Sequence, residues 1–141
     1  MDETARILEE LFDKGYATRK VPVLGDKLFS TVRSLSGKDQ LIIEADMGKD
    51  KLKNTPAAYV IHSYSLKLLS KTVINYGEKE FKDSDDALKY LENLSNSIID
   101  KLVKAQNSLE KDVRKSLELE NVEENFSETG PLPEKSEPQP E

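Results

Sequence analysis

Charge is divided unevenly along this chain, and the division sets how much of it can build a core. From Glu118 to Glu141 there are eight glutamates and one base, Lys135, a net of −7, together with four prolines. Residues 1–117 carry 20 bases against 19 acids and are nearly neutral. A segment so acidic and so poor in large apolar side chains buries too little surface to repay the entropy of ordering. Residues 121–141 are therefore expected to form a disordered acidic tail. Ahead of it the 141 residues divide into an N-terminal docking helix, 1–15, and a hairpin-plus-helical domain, 16–120. A nearly neutral domain argues against a strongly basic nucleic-acid binder, whose affinity rests on clustered phosphate-neutralising cations.

Cysteine is absent. That excludes a disulfide scaffold, a thiolate zinc site, an iron–sulfur cluster and a cysteine nucleophile together. Met1-Asp2-Glu3 is acidic where a secretory signal is basic, and no apolar run approaches the roughly 18–20 residues that span a bilayer. A soluble, cytoplasmic protein with no membrane partner is expected.

Ile7, Leu8, Leu11 and Phe12 recur at helical spacing, and Gly15 follows as a stop, so a helix is expected over about residues 2–13. Ala17, Arg19, Val21 and Val23 then alternate with Thr18, Lys20, Pro22 and Leu24, and alternation resumes from Lys27 to Leu35. Gly25-Asp26 between them is a two-residue turn signal, so the stretch predicts a hairpin with Pro22 on an edge strand. Ser36 reads as the cap of a helix with Leu41, Ile42 and Ala45 buried and Gly48 at its end. Thr55-Pro56 begins a core helix running from Ala57 to Tyr76, closed by Gly77. Its two apolar stripes are Tyr59, Leu66, Leu69, Val73 and Tyr76, and Ala58, Ile61 and Leu68. Glu78 to Asp83 fits either a short strand or a loop, and Ser84-Asp85-Asp86 caps another helix that breaks over Asn93–Ser97. From Ile98 to Leu117 the apolar pattern narrows to one stripe, the mark of a projecting amphipathic helix. The fold expected is α+β and mostly α-helical: a short N-terminal helix, a two-stranded β-hairpin, then a helical bundle.

No constellation of residues points to catalysis. His62 is the only histidine and sits within the core-helix pattern, without neighbours spaced as metal ligands. No serine lies in a Gly-x-Ser-x-Gly elbow, and the carboxylate pairs Glu9-Glu10, Asp85-Asp86 and Glu123-Glu124 fit solvated surfaces. The six glycines fall at element boundaries rather than grouping into a phosphate loop. Lys49, Lys51 and Lys53 form a basic run in a connection, where such runs commonly keep a loop in water. No catalytic residue, cofactor or metal is expected. Apolar burial against a partner is expected at the hairpin edge, through Val21 and Val23, and along the last helix, through Leu102, Leu109, Val113 and Leu117.

Behind the short N-terminal helix stand Val21-Pro22-Val23-Leu24-Gly25 and then Phe29-Ser30-Thr31-Val32-Arg33-Ser34-Leu35-Ser36-Gly37-Lys38-Asp39-Gln40. This order resembles small tailed-phage assembly proteins, the tail assembly chaperones and baseplate-hub assembly proteins of contractile phages. Those often carry a short hairpin ending in V-R-x-L-(S/T)-x-x-(D/E), followed by a helical remainder. The resemblance covers about residues 16–117, with Val32, Arg33, Leu35 and Ser36 marking the strand-to-helix junction. It implies a non-enzymatic protein of the host cytoplasm that binds tail components such as the tape measure or tube, and that can self-associate. An alternative is a structural component retained in the virion, in the tail, baseplate or neck. A second is a small nucleic-acid-binding regulatory protein using Arg19, Lys20, Lys49, Lys51 and Lys53.

Overall fold

The computed structural model describes residues 2–49 and 55–127. Helix α1 (Glu3–Lys14) begins at Asp2, whose carboxylate accepts the Ala5 N–H at 2.8 Å. It ends at Gly15, which adopts φ 87° and donates to the Leu11 carbonyl. Ile7 is wholly buried, but Phe12, expected in the same stripe, is 90% exposed.

The alternation that follows makes β1 (Thr18–Pro22) and β2 (Phe29–Arg33), an antiparallel pair running from Thr18↔Arg33 to Pro22↔Phe29. Gly25, at φ 62°, and Asp26 turn the chain, and Lys27 N–H closes on the Leu24 carbonyl at 3.0 Å. Ala17, Val21, Val23, Ser30, Val32 and Ser34 are buried on one face. The hairpin is half of a larger sheet, because a second and shorter hairpin joins it.

Helix α2 (Gly37–Lys49) starts as expected, with Ser36 Oγ accepting from Asp39 N–H at 3.0 Å. Its buried residue is Ile43; Leu41 is 68% exposed and Ala45 is also exposed. The expected stripe was therefore rotated: Ile43 and Met47, four apart, share the inner face. Helix α3 (Ala57–Thr72) is capped by Pro56 without a side-chain bond, so Thr55 is not the cap. It ends at Thr72, four residues earlier than expected, and Val73 passes directly into β3 (Val73–Tyr76). The β-branched pair Val73-Ile74 favours extended backbone, and Gly77-Glu78 forms the two-residue loop to β4 (Lys79–Glu80). β3 pairs with β2 and completes an antiparallel four-stranded sheet in the order β1-β2-β3-β4. Helix α4 (Ser84–Glu92) is capped by Asp83, one residue before the expected cap, through a bond from Asp86 N–H.

Helix α5 (Asn96–Ser127) is the central element rather than a projecting one. Ile99, Leu102, Gln106, Leu109 and Ser116 are buried along its inner stripe, against α1, α3, β1 and β2. It extends to Ser127, into the segment assigned to the tail; residues 128–141 lie outside the described residues, as do Lys51 and Lys53. The fold is thus a mostly helical α+β domain with α1 part of the same core.

Polar ties bind α1 and α5 to the edge strand. Arg19 Nη2 lies 2.7 Å from Glu3 and 2.8 Å from Asp112, and Glu10 accepts from both the N–H and the hydroxyl of Thr18. Hydrogen bonds from Arg6 and then Arg19 hold the Glu3 carboxyl at about 2, below its usual 4.5. A depressed carboxyl pKa stabilises the fold above the unfolded value, and that contribution fades as pH falls through the folded one. Acid unfolding should therefore steepen between about 4.5 and about 2, and Glu3→Gln should flatten that slope in thermal melts. In urea titrations Leu109→Ala should cost about 2–5 kcal/mol, whereas Phe12→Ala should stay within about 0.5 kcal/mol.

Candidate interaction groove

The strand-to-helix junction is held by hydrogen bonds that leave little freedom in where α2 goes. Ser34 N–H donates to the Ala17 carbonyl, and Ser34 Oγ accepts the Ala17 N–H, both at 2.9 Å. Arg33 pairs with Asp39 at 2.9 Å and lies 5.2 Å over the Tyr16 ring. One residue on, Leu35 N–H donates to Glu110 Oε2 at 2.6 Å, and that oxygen also accepts from Gln106 Nε2 at 2.7 Å. Gln106, 1% exposed, reaches the Arg33 carbonyl as well, at 3.3 Å. α5 therefore grips the end of β2 and fixes where α2 starts.

A trough opens between α2, α3 and α5. Its polar end encloses about 630 Å³ and is lined by Ser36, Gln40, Glu110, Lys111 and Arg114 among others. Its apolar end encloses about 610 Å³ among Met47, Val60, Ile61 and Val103. Tyr64, Leu68 and Asn107 line both, so the two ends adjoin. Of the six large apolar residues with substantial exposure among the described residues, four lie on these helices: Leu41, Tyr59 at 59%, Ile61 at 66% and Leu117. Tyr59 and Ile61 had been expected in the core; the N-terminal half of α3 instead stands clear of it.

The residues expected to meet a partner lie elsewhere. Val21, Val23, Leu102 and Leu109 are buried in the chain's own core, and Val113 packs against it. Leu117 alone of the six is substantially exposed, at 44%. The hairpin edge is also partly closed. Val23 N–H donates to the Leu28 carbonyl and Ser34 N–H to that of Ala17, so odd-numbered residues of β1 face β2. Thr18, Lys20 and Pro22 then turn their backbone outward. The Thr18 N–H is taken by Glu10 and Pro22 has none, an arrangement that blunts strand addition.

His62 is exposed on α3, and among the described residues no three His, Asp or Glu side chains gather as metal ligands. Asp86 is spent on capping, Glu10 on Thr18, and Arg19 on its two ion pairs; Lys20 lies 4.8 Å over the Phe29 ring. Tyr64, Lys111 and Arg114, which also line the trough, are not among the residues expected to meet a partner, because cations flanking an apolar stripe read as solvated surface. Only Gln106, a polar residue within the apolar stripe of α5, signalled that something beyond packing happens there. Comparison with protein-family models, curated proteins and solved structures found no match to this chain.

Removing Glu110 leaves the Leu35 N–H without its acceptor and takes one of two acceptors from the Gln106 amide, which keeps the Arg33 carbonyl. Glu110→Ala should destabilise by about 1–3 kcal/mol in chemical denaturation, and Glu110→Gln by less, because its amide oxygen still accepts.

Proposed function

We propose that this chain is a non-enzymatic protein–protein interaction protein of bacteriophage tail or virion assembly. In this proposal it holds an amphipathic helix of a tail component, such as the tape measure or tube protein, in the trough between α2, α3 and α5. The observation that carries the docking role is the trough itself, apolar at one end and cationic at the other, with Ile61 66% exposed at its lip. Helix-in-groove recognition needs that combination: an apolar floor for the buried stripe and a charged end to set its direction. The core position of Val21, Val23, Leu102 and Leu109 favours the trough over the hairpin edge as the docking surface. The phage setting rests on the resemblance of residues 21–40.

The test is affinity capture from the native source, with mass spectrometry of lysate and of purified particles. Recovery with tape-measure or tube proteins in lysate, and absence from particles, is the expected result. A fixed copy number in particles would make the chain a virion component and overturn the chaperone role. Ile61→Asp should reduce that recovery at least about tenfold, equivalent to about 1.4 kcal/mol, while shifting stability by no more than about 0.5 kcal/mol.

A further inference from the structure

We propose that α2 folds and unfolds as a unit of its own on an otherwise intact domain, and so makes and unmakes one wall of the trough. The sheet and the other four helices stay folded when it opens.

The sequence of α2 gives it little helical stability of its own. Leu41, Ile42 and Ile43 are consecutive, so they turn around the helix instead of forming one stripe. The two isoleucines are β-branched, and Gly48 is the poorest helix former short of proline. Asp46 lies toward the end where the helix dipole is negative. A helix of 13 residues is marginal in water even with a better sequence. It must be held by what it packs against.

Little holds it. Among the described residues, α2 is the one helix with no side chain in the main core or packed against it. α1 contributes Ile7 to that core, α3 Leu69, α4 Leu91, and α5 Leu102 and Leu109. Ile43 is fully buried but lies outside it, and α3 is the one element that α2 packs against at length. The polar ties of α2 are short-range: the Arg33–Asp39 pair and the Ser36 cap lie at its first turn, and Gln40 bonds Glu44 within the helix. α1, of similar length, is instead tied across the fold, by Glu3 to Arg19 and by Glu10 to Thr18. Leu35 stays bound to Glu110, so the opening begins after the junction and leaves the end of β2 in place. A segment with so few buried apolar contacts opens at a lower free energy than the core.

Gln40, Glu44 and Met47 are the residues that α2 gives to the trough lining beyond its first residue, Gly37. With α2 open that wall is gone, and a helix can enter from the side instead of threading by its end. An occupant that touches those residues binds the folded form of α2 and draws it closed. This consequence rests on the docking role proposed above; the separate folding of α2 does not.

The test is hydrogen exchange of the full chain, followed by NMR residue by residue in rising urea. Amides of residues 42–47 should be at least about tenfold less protected than those of residues 102–109. Their exchange should depend little on urea, while the α5 amides follow the steep slope of global unfolding. In Leu109→Ala the α5 amides should accelerate at least about tenfold. The α2 amides should then stay within about twofold, because the substitution weakens the closed and the α2-open forms alike. Equal protection and equal urea slope in α2 and α5, or equal acceleration in the variant, overturns the proposal. The urea slope needs no variant and decides the matter if Leu109→Ala does not fold. Exchange is read on the free chain, so failure here leaves the capture test with Ile61→Asp standing, and failed capture leaves this result standing.

Discussion

The polar knot formed by Gln106, Glu110 and the backbone of Arg33 and Leu35 governs the rest of the structure. A glutamine 1% exposed on the stripe of α5 is costly unless its amide is satisfied, and here it is satisfied by the end of β2 and by Glu110. Apolar packing along α5 would tolerate some sliding of the sheet. The hydrogen bonds that cross from α5 to the end of β2, from the Leu35 N–H at 2.6 Å and to the Arg33 carbonyl at 3.3 Å, tolerate much less. The knot therefore fixes the registry between helix and sheet, and with it the point at which α2 departs. The trough lies between α2, so placed, and the helices α3 and α5.

The hairpin, the first helix and the capped start of α2 were legible because short-range chemistry decides them. Gly25-Asp26 turns, Gly15 stops the first helix, Ser36 caps the next, and the strands on either side of the turn alternate with period two. Failures came where two local signals compete. Val73 to Tyr76 continues the helical apolar pattern of α3 and also carries the β-branched residues of a strand; pairing with β2 decided in favour of the strand. Gly77 was read as a helix stop although Gly77-Glu78 makes the same kind of two-residue turn as Gly25-Asp26. The rotation of α2 that buries Ile43 and exposes Leu41 depends on which neighbours are present, and no window of sequence contains them.

The site was less legible than the fold for a related reason. An apolar stripe announces that something will be buried, but not whether the cover is the chain itself or another molecule. Leu102 and Leu109 look like anchors for a partner until α1 and the sheet occupy that face. Tyr59 and Ile61 look like core until α3 is seen to outrun the elements that would cover it. Supply of cover, rather than hydrophobicity, separates the core residues from the candidate contact residues in this chain.

The passage from α3 into β3 has no loop: Thr72 is the last helical residue and Val73 the first of the strand. A helix so mounted behaves as a stiff lever with its fulcrum in the sheet. Ile61, eleven residues out, sits about 17 Å along the shaft. Packing on α4, α5 and α2 braces the shaft, and the joint itself adds no slack between α3 and the β2–β3 pairing, where the register is irregular between Thr31 and Val32. A push on the exposed end of α3 is thus shared between those helices and the seam of the sheet.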